Sequence, residues 1–247
     1  MKIPPLALTL CWSLLLLMPL PRCYALDLPA LIREVETRYQ GASSHALVTM
    51  EIRTAHWQRS LQLEIWSQGR DRFLARIKAP IKEQGVATLK VDQEVWNYLP
   101  KVDRVLKIPP SMMGGAWMGS HLTNDDLVKA NRIDRDYTFR LLEEDAQGWL
   151  IEALPKPDAP VVWGKLLYRI KRTPLVPVLI SYFDEEMVEV RRIHFNRVRQ
   201  IGERWVPLRM LIEPLEKQEQ TLLEYSEIEF DLPLAATLFS VRSLKRH

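Results

Sequence analysis

Long runs of two-residue alternation constrain this chain more than any other feature. In "ALVTMEIRT" Val48, Met50 and Ile52 alternate with Thr49, Glu51 and Arg53, and in "SLQLEIWSQG" Leu61, Leu63 and Ile65 alternate with Gln62 and Glu64. "DRFLARIKAP" sets Phe73, Ala75 and Ile77 against Arg72, Arg76 and Lys78. Successive side chains on an extended strand point to opposite faces, so apolar residues alternating with charged ones require a sheet with one dry and one wet face. Antiparallel sheets meet that requirement, whereas parallel ones are covered on both sides. "GVATLKVD" adds Ala87, Leu89 and Val91 in one phase, and "EVWNYLP" adds Trp96 and Tyr98. The habit returns in "DYTFRLLEE", "WLIEAL", "GKLLYRIKR", "PVLISYF", "VEVRRIHFNRV", "RWVPLRMLIEP" and "QTLLEYSEIEF". Turn-forming groups such as "SQGRD", "APIKEQG", "FDEEM" and "IGERW" separate these runs. The expectation is a mainly β protein: a long, curved antiparallel sheet of about eleven strands.

Little in the sequence is available to cover such a sheet. "LDLPALIREVETRYQ" reads as an amphipathic helix capped by Asp27, with Pro29 in its first turn and Leu28, Leu31, Ile32, Val35 and Tyr39 on one stripe. Arg33, Glu34, Glu36 and Arg38 fall on its polar side. "SHLTNDDLVKA" reads as a short second helix, with Thr123 and Asp126 at capping-box spacing. A large sheet with so little cover either closes on itself or leaves a cavity, and half-open barrels with cavities bind apolar ligands. The front helix is expected across the open mouth of the sheet.

The first residues carry a targeting pattern. Lys2 precedes an uncharged, almost wholly apolar run from Leu6 to Leu20, followed by "PRCYA". This reads as a secretory signal peptide spanning 1–25 and cleaved after Ala25, with a single domain over 26–247. Arg22 before Cys23 argues against a lipoprotein signal. Both cysteines, Cys11 and Cys23, lie in the segment expected to be removed, which excludes a disulfide scaffold and thiolate chemistry from the rest. Removal would take the formal charge from +3 to about +1, which is not the excess of a nucleic-acid binder.

No catalytic motif is visible. His45, His56, His121, His194 and His247 stand singly, and the chain has no Gly-x-Ser-x-Gly elbow, phosphate loop or dinucleotide fingerprint. The acidic groups Glu143–Asp145 and Asp184–Glu186 lie in expected turns. Arg191, Arg192, Arg197, Arg199, Arg204 and Arg209 read as a solvated sheet face, with contact to anionic lipid or an acidic partner as the sharper alternative. The expectation is therefore a protein that is not an enzyme and uses no cofactor or metal.

The stretch "SMMGGAWMGSHLTNDDL" sets Met112, Met113, Trp117 and Met118 on a glycine-rich backbone. Methionine is unbranched and polarisable and repacks around ligands of varied shape. Gly114, Gly115 and Gly119 would let the backbone hinge. "VWNYLPKVDRVLKI", "WMGSHLTNDDL", "RWVPLRMLIEP" and "EIEFDLPLAATLFSVRSL" together resemble the LolA-like outer-membrane lipoprotein-sorting proteins of Gram-negative bacteria. The resemblance covers most of the chain after the signal segment, by pattern alone before about residue 80. It implies an incomplete barrel with helices as a lid, and a monomeric periplasmic carrier of lipid or lipid-modified protein. The cargo would pass from an inner-membrane transporter toward the outer membrane. The candidate ligand-binding side chains are Met50, Leu63, Ile65, Phe73, Leu89, Trp96 and Tyr98 on the sheet and Met112, Met113, Trp117 and Met118 in the lid. Trp96 and Tyr98 are expected inward and Asn97 outward. Two rivals stay open: an accessory subunit of an envelope transporter complex with a filled core, and an enzyme on the same fold. The lining of the largest cavity separates them.

Overall fold

In a computed structural model, residues 26–129 and 132–245 are described; the expected signal segment lies outside them. The strands are β1 (Ser43–Arg53), β2 (Gln58–Gln68), β3 (Arg72–Ala79), β4 (Ala87–Val91), β5 (Glu94–Leu99), β6 (Arg104–Lys107), β7 (Tyr137–Glu144), β8 (Gly148–Pro155), β9 (Lys165–Lys171), β10 (Val176–Phe183), β11 (Glu189–Ile201), β12 (Arg204–Pro214) and β13 (Gln220–Phe230). The helices are α1 (Leu28–Gln40), α2 (Asn124–Lys129) and α3 (Ile133–Asp136).

All thirteen strands form one curved antiparallel sheet, in the order β6-β5-β4-β3-β2-β1-β13-β12-β11-β10-β9-β8-β7, which does not close into a barrel. The count exceeds the expected eleven or so. The four-residue β6 is too short to display a period of two, and its charged Arg104 and Lys107 flank only Val105 and Leu106.

The order has a consequence for the mouth of the half-barrel. The first and last strands, β1 and β13, pair in the middle of the sheet, while its free edges are β6 and β7, which are neighbours in sequence. The segment between them therefore has to pass from one edge to the other. Its described residues, 108–129 and 132–136, lie over the concave face, where Trp117, Met118, Leu122 and Leu127 pack on the main core.

That core is the parity read from the sequence. Ala46, Val48, Met50 and Ile52 of β1, Leu61 and Leu63 of β2, and Ala75 and Ile77 of β3 are buried inward. The helix α1 lies on the same side, against β7, β10, β12 and α3. Its stripe Leu31, Ile32 and Val35 is buried and Leu28 and Tyr39 are half-buried against the core, as its period predicts. The Asp27 carboxylate caps it by accepting from the Ala30 N–H at 3.0 Å. Glu36, assigned to the polar side, is instead buried, because Arg70 reaches it from the β2–β3 turn at 3.1 Å.

On β4 and β5 the inward and outward faces exchange character. Thr88, Lys90, Val95 and Asn97 stand on the concave side, in register with Ala75 and Phe73 of β3. Leu89, Trp96 and Tyr98 point the other way, into a second cluster with Leu74, Ala87, Phe239 and Leu244. The expected inward setting of Leu89, Trp96 and Tyr98, with Asn97 outward, is thus reversed. The reason is the C-terminal segment, whose 3₁₀ turns Ala236–Phe239 and Val241–Lys245 cover the convex face there and make it the drier side.

Candidate ligand cavity

Between the concave face, α1 and the 108–136 segment lies a cavity of about 260 Å³. Most of its lining is apolar: Ile32 and Val35 from α1, Ala46, Ile65 and Phe73 from β1–β3, Ile180, Ile193, Phe195, Met210 and Ile228 from the later strands, and Leu122 and Leu127 from the segment above. Five tyrosines, Tyr39, Tyr137, Tyr168, Tyr182 and Tyr225, add ring surface with polar tips. Burial raises the hydroxyls of Tyr39, Tyr168 and Tyr225 above the ordinary tyrosine range, so they stay neutral at any physiological pH.

The covering segment is held by four separate clasps. The indole N–H of Trp117 donates to Thr88 Oγ1 at 3.1 Å, and its ring meets Phe73 edge-on with centres 6.0 Å apart. Arg59, ion-paired to Glu83, donates to the Met118 carbonyl at 2.9 Å. His121 bridges Thr221 Oγ1 (2.8 Å) and Glu219 (3.1 Å). Arg191 grips Asp126 through two bonds of 2.7 and 2.8 Å while its guanidinium lies against the rings of Tyr182 and Trp163. Asp126 also completes the capping box expected of α2: it accepts from the Thr123 N–H at 2.8 Å, and Thr123 Oγ1 accepts from the Asp126 N–H at 3.0 Å. Burial alone would raise the Asp126 carboxyl, but the hydrogen bonds and charge of Arg191 outweigh it and hold the group below the ordinary carboxylate range.

The Thr221–His121–Glu219 chain has the order of a nucleophile, a base and an orienting acid. Thr221 is 0 % exposed and does not line the cavity, so in this arrangement the group fastens the segment to β13 and no substrate reaches it.

One end of the cavity is polar. Glu36, Ser44, Ser67, Gly69 and Lys90 meet there. The hydroxyls of Ser44 and Ser67 satisfy each other at 2.7 Å, and Arg70 joins Glu36 to Asp134 of α3. Lys90 is 2 % exposed, and its ammonium donates to the Arg70 carbonyl at 2.6 Å. Burial pushes Glu36 up to about 8 despite Arg70, and pushes Lys90 down to about 8. These shifts act on stability with opposite signs. From about 4.5 to 8 the folded chain keeps a Glu36 proton that the unfolded chain releases, so stability falls as pH rises. Above about 8 the folded chain has released a Lys90 proton that the unfolded chain keeps, up to its ordinary 10.5, so stability rises. Urea unfolding should therefore show a stability minimum near pH 8, with Glu36→Gln flattening the limb below it and Lys90→Met the limb above it, up to the onset of tyrosine ionisation. Limbs unchanged in these variants would contradict the assignment.

Of the side chains expected to bind ligand, Ile65 and Phe73 line the cavity. Met50 and Leu63 are fully buried in the core beneath it, and Leu89, Trp96 and Tyr98 belong to the convex cluster. Trp117 is built into the core at 2 % exposure, with Met118 half-buried beside it, while Met112 is 59 % exposed and Met113 half-buried. Of the three glycines here only Gly119 holds a positive φ, +73°, next to Met118 at +50°. Sequence reasoning missed Arg191, Glu36 and Lys90. Arg191 could have been found, since two adjacent arginines on a strand must face opposite sides and one of them had to point inward.

A family model described as "Uncharacterized protein" matches residues 69–246. No curated protein matches the chain. Among solved structures, a domain named for outer membrane lipoprotein sorting from Vibrio parahaemolyticus is 20% identical, with a TM-score of 0.75 over 88% of this chain and 98% of that one. A DUF1329 family protein from Desulfovibrio piger is 19% identical, with a TM-score of 0.79 over 88% and 97%. A LolA superfamily protein from Nitrosomonas europaea is 17% identical, with a TM-score of 0.73 over 89% and 100%. The chain belongs to the family of the matching model, and its fold is the open half-barrel of the LolA-like lipoprotein-sorting proteins.

Proposed function

We propose that the protein is a periplasmic carrier that takes the acyl chains of lipids or lipid-modified proteins into this cavity. It receives cargo at an inner-membrane transporter and releases it toward the outer membrane. The observation that carries the reading is an apolar cavity roofed by a separately clasped segment. Burying a methylene is worth roughly 0.8 kcal/mol, so a perfectly fitted diacyl chain would not be released. A roof whose clasps must be broken for entry offsets part of that gain, because a ligand shifts a closed state to an open one only through its differential affinity. The sequence pattern of a secretory signal supports the compartment, and the likeness to a domain named for lipoprotein sorting supports the cargo class.

The test is mass spectrometry of lipids extracted from the protein purified from its native periplasm. Co-purified acyl lipid or lipopeptide at near-stoichiometric amount is expected, and protein consistently free of it would contradict the reading. A variant separates cavity binding from surface adhesion. Ala46 lines the cavity and is buried on β1. Ala46→Phe should fill the space at a stability cost of about 1–3 kcal/mol and sharply weaken retention of fluorescent fatty acid. Unchanged retention would place the lipid elsewhere.

A further inference from the structure

The polar end of the cavity is unbalanced in charge. Glu36 has Arg70 at 3.1 Å, and Arg70 has Asp134 at 2.8 Å. Lys90 has no carboxylate within ion-pair distance among the described residues: its ammonium meets only the Arg70 carbonyl. Asp71 and Asp92 act on Lys90 only through space, opposed by Arg70 and Arg132. An ammonium has three donors, and this one is buried with a single acceptor. A cation so placed is costly unless something completes its shell. Its place is also informative, since Lys90 sits in register with Phe73, and the cavity that both line is largely apolar, with Phe195 and Ile193 also in its wall.

We propose that the ligand is an anionic-headed amphiphile, with its acyl chain along the apolar lining and its head against the Lys90 ammonium. This deepens the carrier reading and rests on it. It names a lipid with a carboxylate or phosphate head as cargo, in place of the uncharged glyceryl thioether at the acylated end of a lipid-modified protein. The serines at the same end, Ser44 and Ser67, offer hydroxyls to such a head.

The experiment titrates the full mature chain, at neutral pH and below micelle formation, with dodecanoate, methyl dodecanoate and butyrate. A hydrogen bond to a charged group predicts that dodecanoate binds at least about tenfold more tightly than its ester. Lys90→Met, which keeps the apolar stem, should erase that preference. Lys90→Gln, which keeps a polar side chain without the charge, should reduce it and keeps the proposal testable if Lys90→Met does not fold. Equal affinity of acid and ester in the parent protein, or a preference kept in both variants, overturns the proposal while leaving the carrier reading intact. Butyrate binding as tightly as dodecanoate overturns it in favour of a site for small soluble anions. Failure of both twelve-carbon ligands to bind sinks the carrier reading and this inference together.

Discussion

Trp117→Ala is expected to destabilise the protein by about 3–5 kcal/mol, the range for truncating a buried large aromatic. Trp117 is the most deeply buried side chain in the glycine-rich stretch, with its ring against Phe73 and its N–H on Thr88. Truncation removes the ring from the core and leaves Thr88 with Asn97 Oδ1 alone, at 2.7 Å. The loss should fall on the roof, because Phe73 also lines the cavity. The folded fraction should therefore exchange a bound fatty acid faster, as well as unfold at lower urea. Trp117→Phe keeps the ring contact and loses the hydrogen bond, so it should cost about 0.5–1.5 kcal/mol. Met112→Ser, at an exposed position of the same stretch, should stay within about 0.5 kcal/mol of the parent. Urea midpoints for the three variants check the ordering, and a Trp117→Ala protein as stable as Met112→Ser would contradict it.

Asp126→Ala should cost about 3–5 kcal/mol, because it leaves Arg191 buried without its counter-charge. Arg191 is 5 % exposed, and its Nε already lacks a partner among the described residues. The Asp126 carboxylate serves both the α2 cap and the ion pair, so its removal unfastens the helix from β11 at a single stroke. Replacing both partners, Asp126→Leu with Arg191→Met, should recover most of the loss, since a buried pair exchanged for apolar groups is often neutral. Acid should reproduce the single change: Asp126 is held below its ordinary range, so its contribution is present above that range and lost as pH falls through the depressed value. A double-mutant cycle measures the coupling, and a value under about 0.5 kcal/mol would mean that the two residues do not act as a unit.

How much of this was legible depended on how each residue reports its surroundings. Alternation in β1 to β3 gave the concave parity because one side of those strands is wet. It misled at β4 and β5, where a segment more than a hundred residues away in sequence dries the convex side. No local pattern marks that cover. The helix stripe and the capping box were readable because both are set by nearest-turn geometry. Glu36 was placed in solvent because a helical wheel does not show Arg70 arriving from a turn. Lys90 looked like an ordinary charged alternate, and only the register with Phe73 puts it in the cavity. The roof itself was inferred from methionine and glycine chemistry, yet what fastens it is Trp117, the Met118 carbonyl, His121 and Asp126. Each of these is recognisable only with its distant partner.

Entry of acyl chains into the cavity under the roof can be read from two tryptophans. Trp163 lines that cavity, whereas Trp205 is exposed on β12. Titration with a fatty acid brominated along its chain reads that entry directly, since bromine quenches only the indoles it approaches. Saturable quenching is expected, largely lost in Trp163→Phe, retained in Trp205→Phe, and abolished at the same ligand concentrations in Ala46→Phe. Quenching that does not saturate, or that persists unchanged when the cavity is filled, would contradict the account.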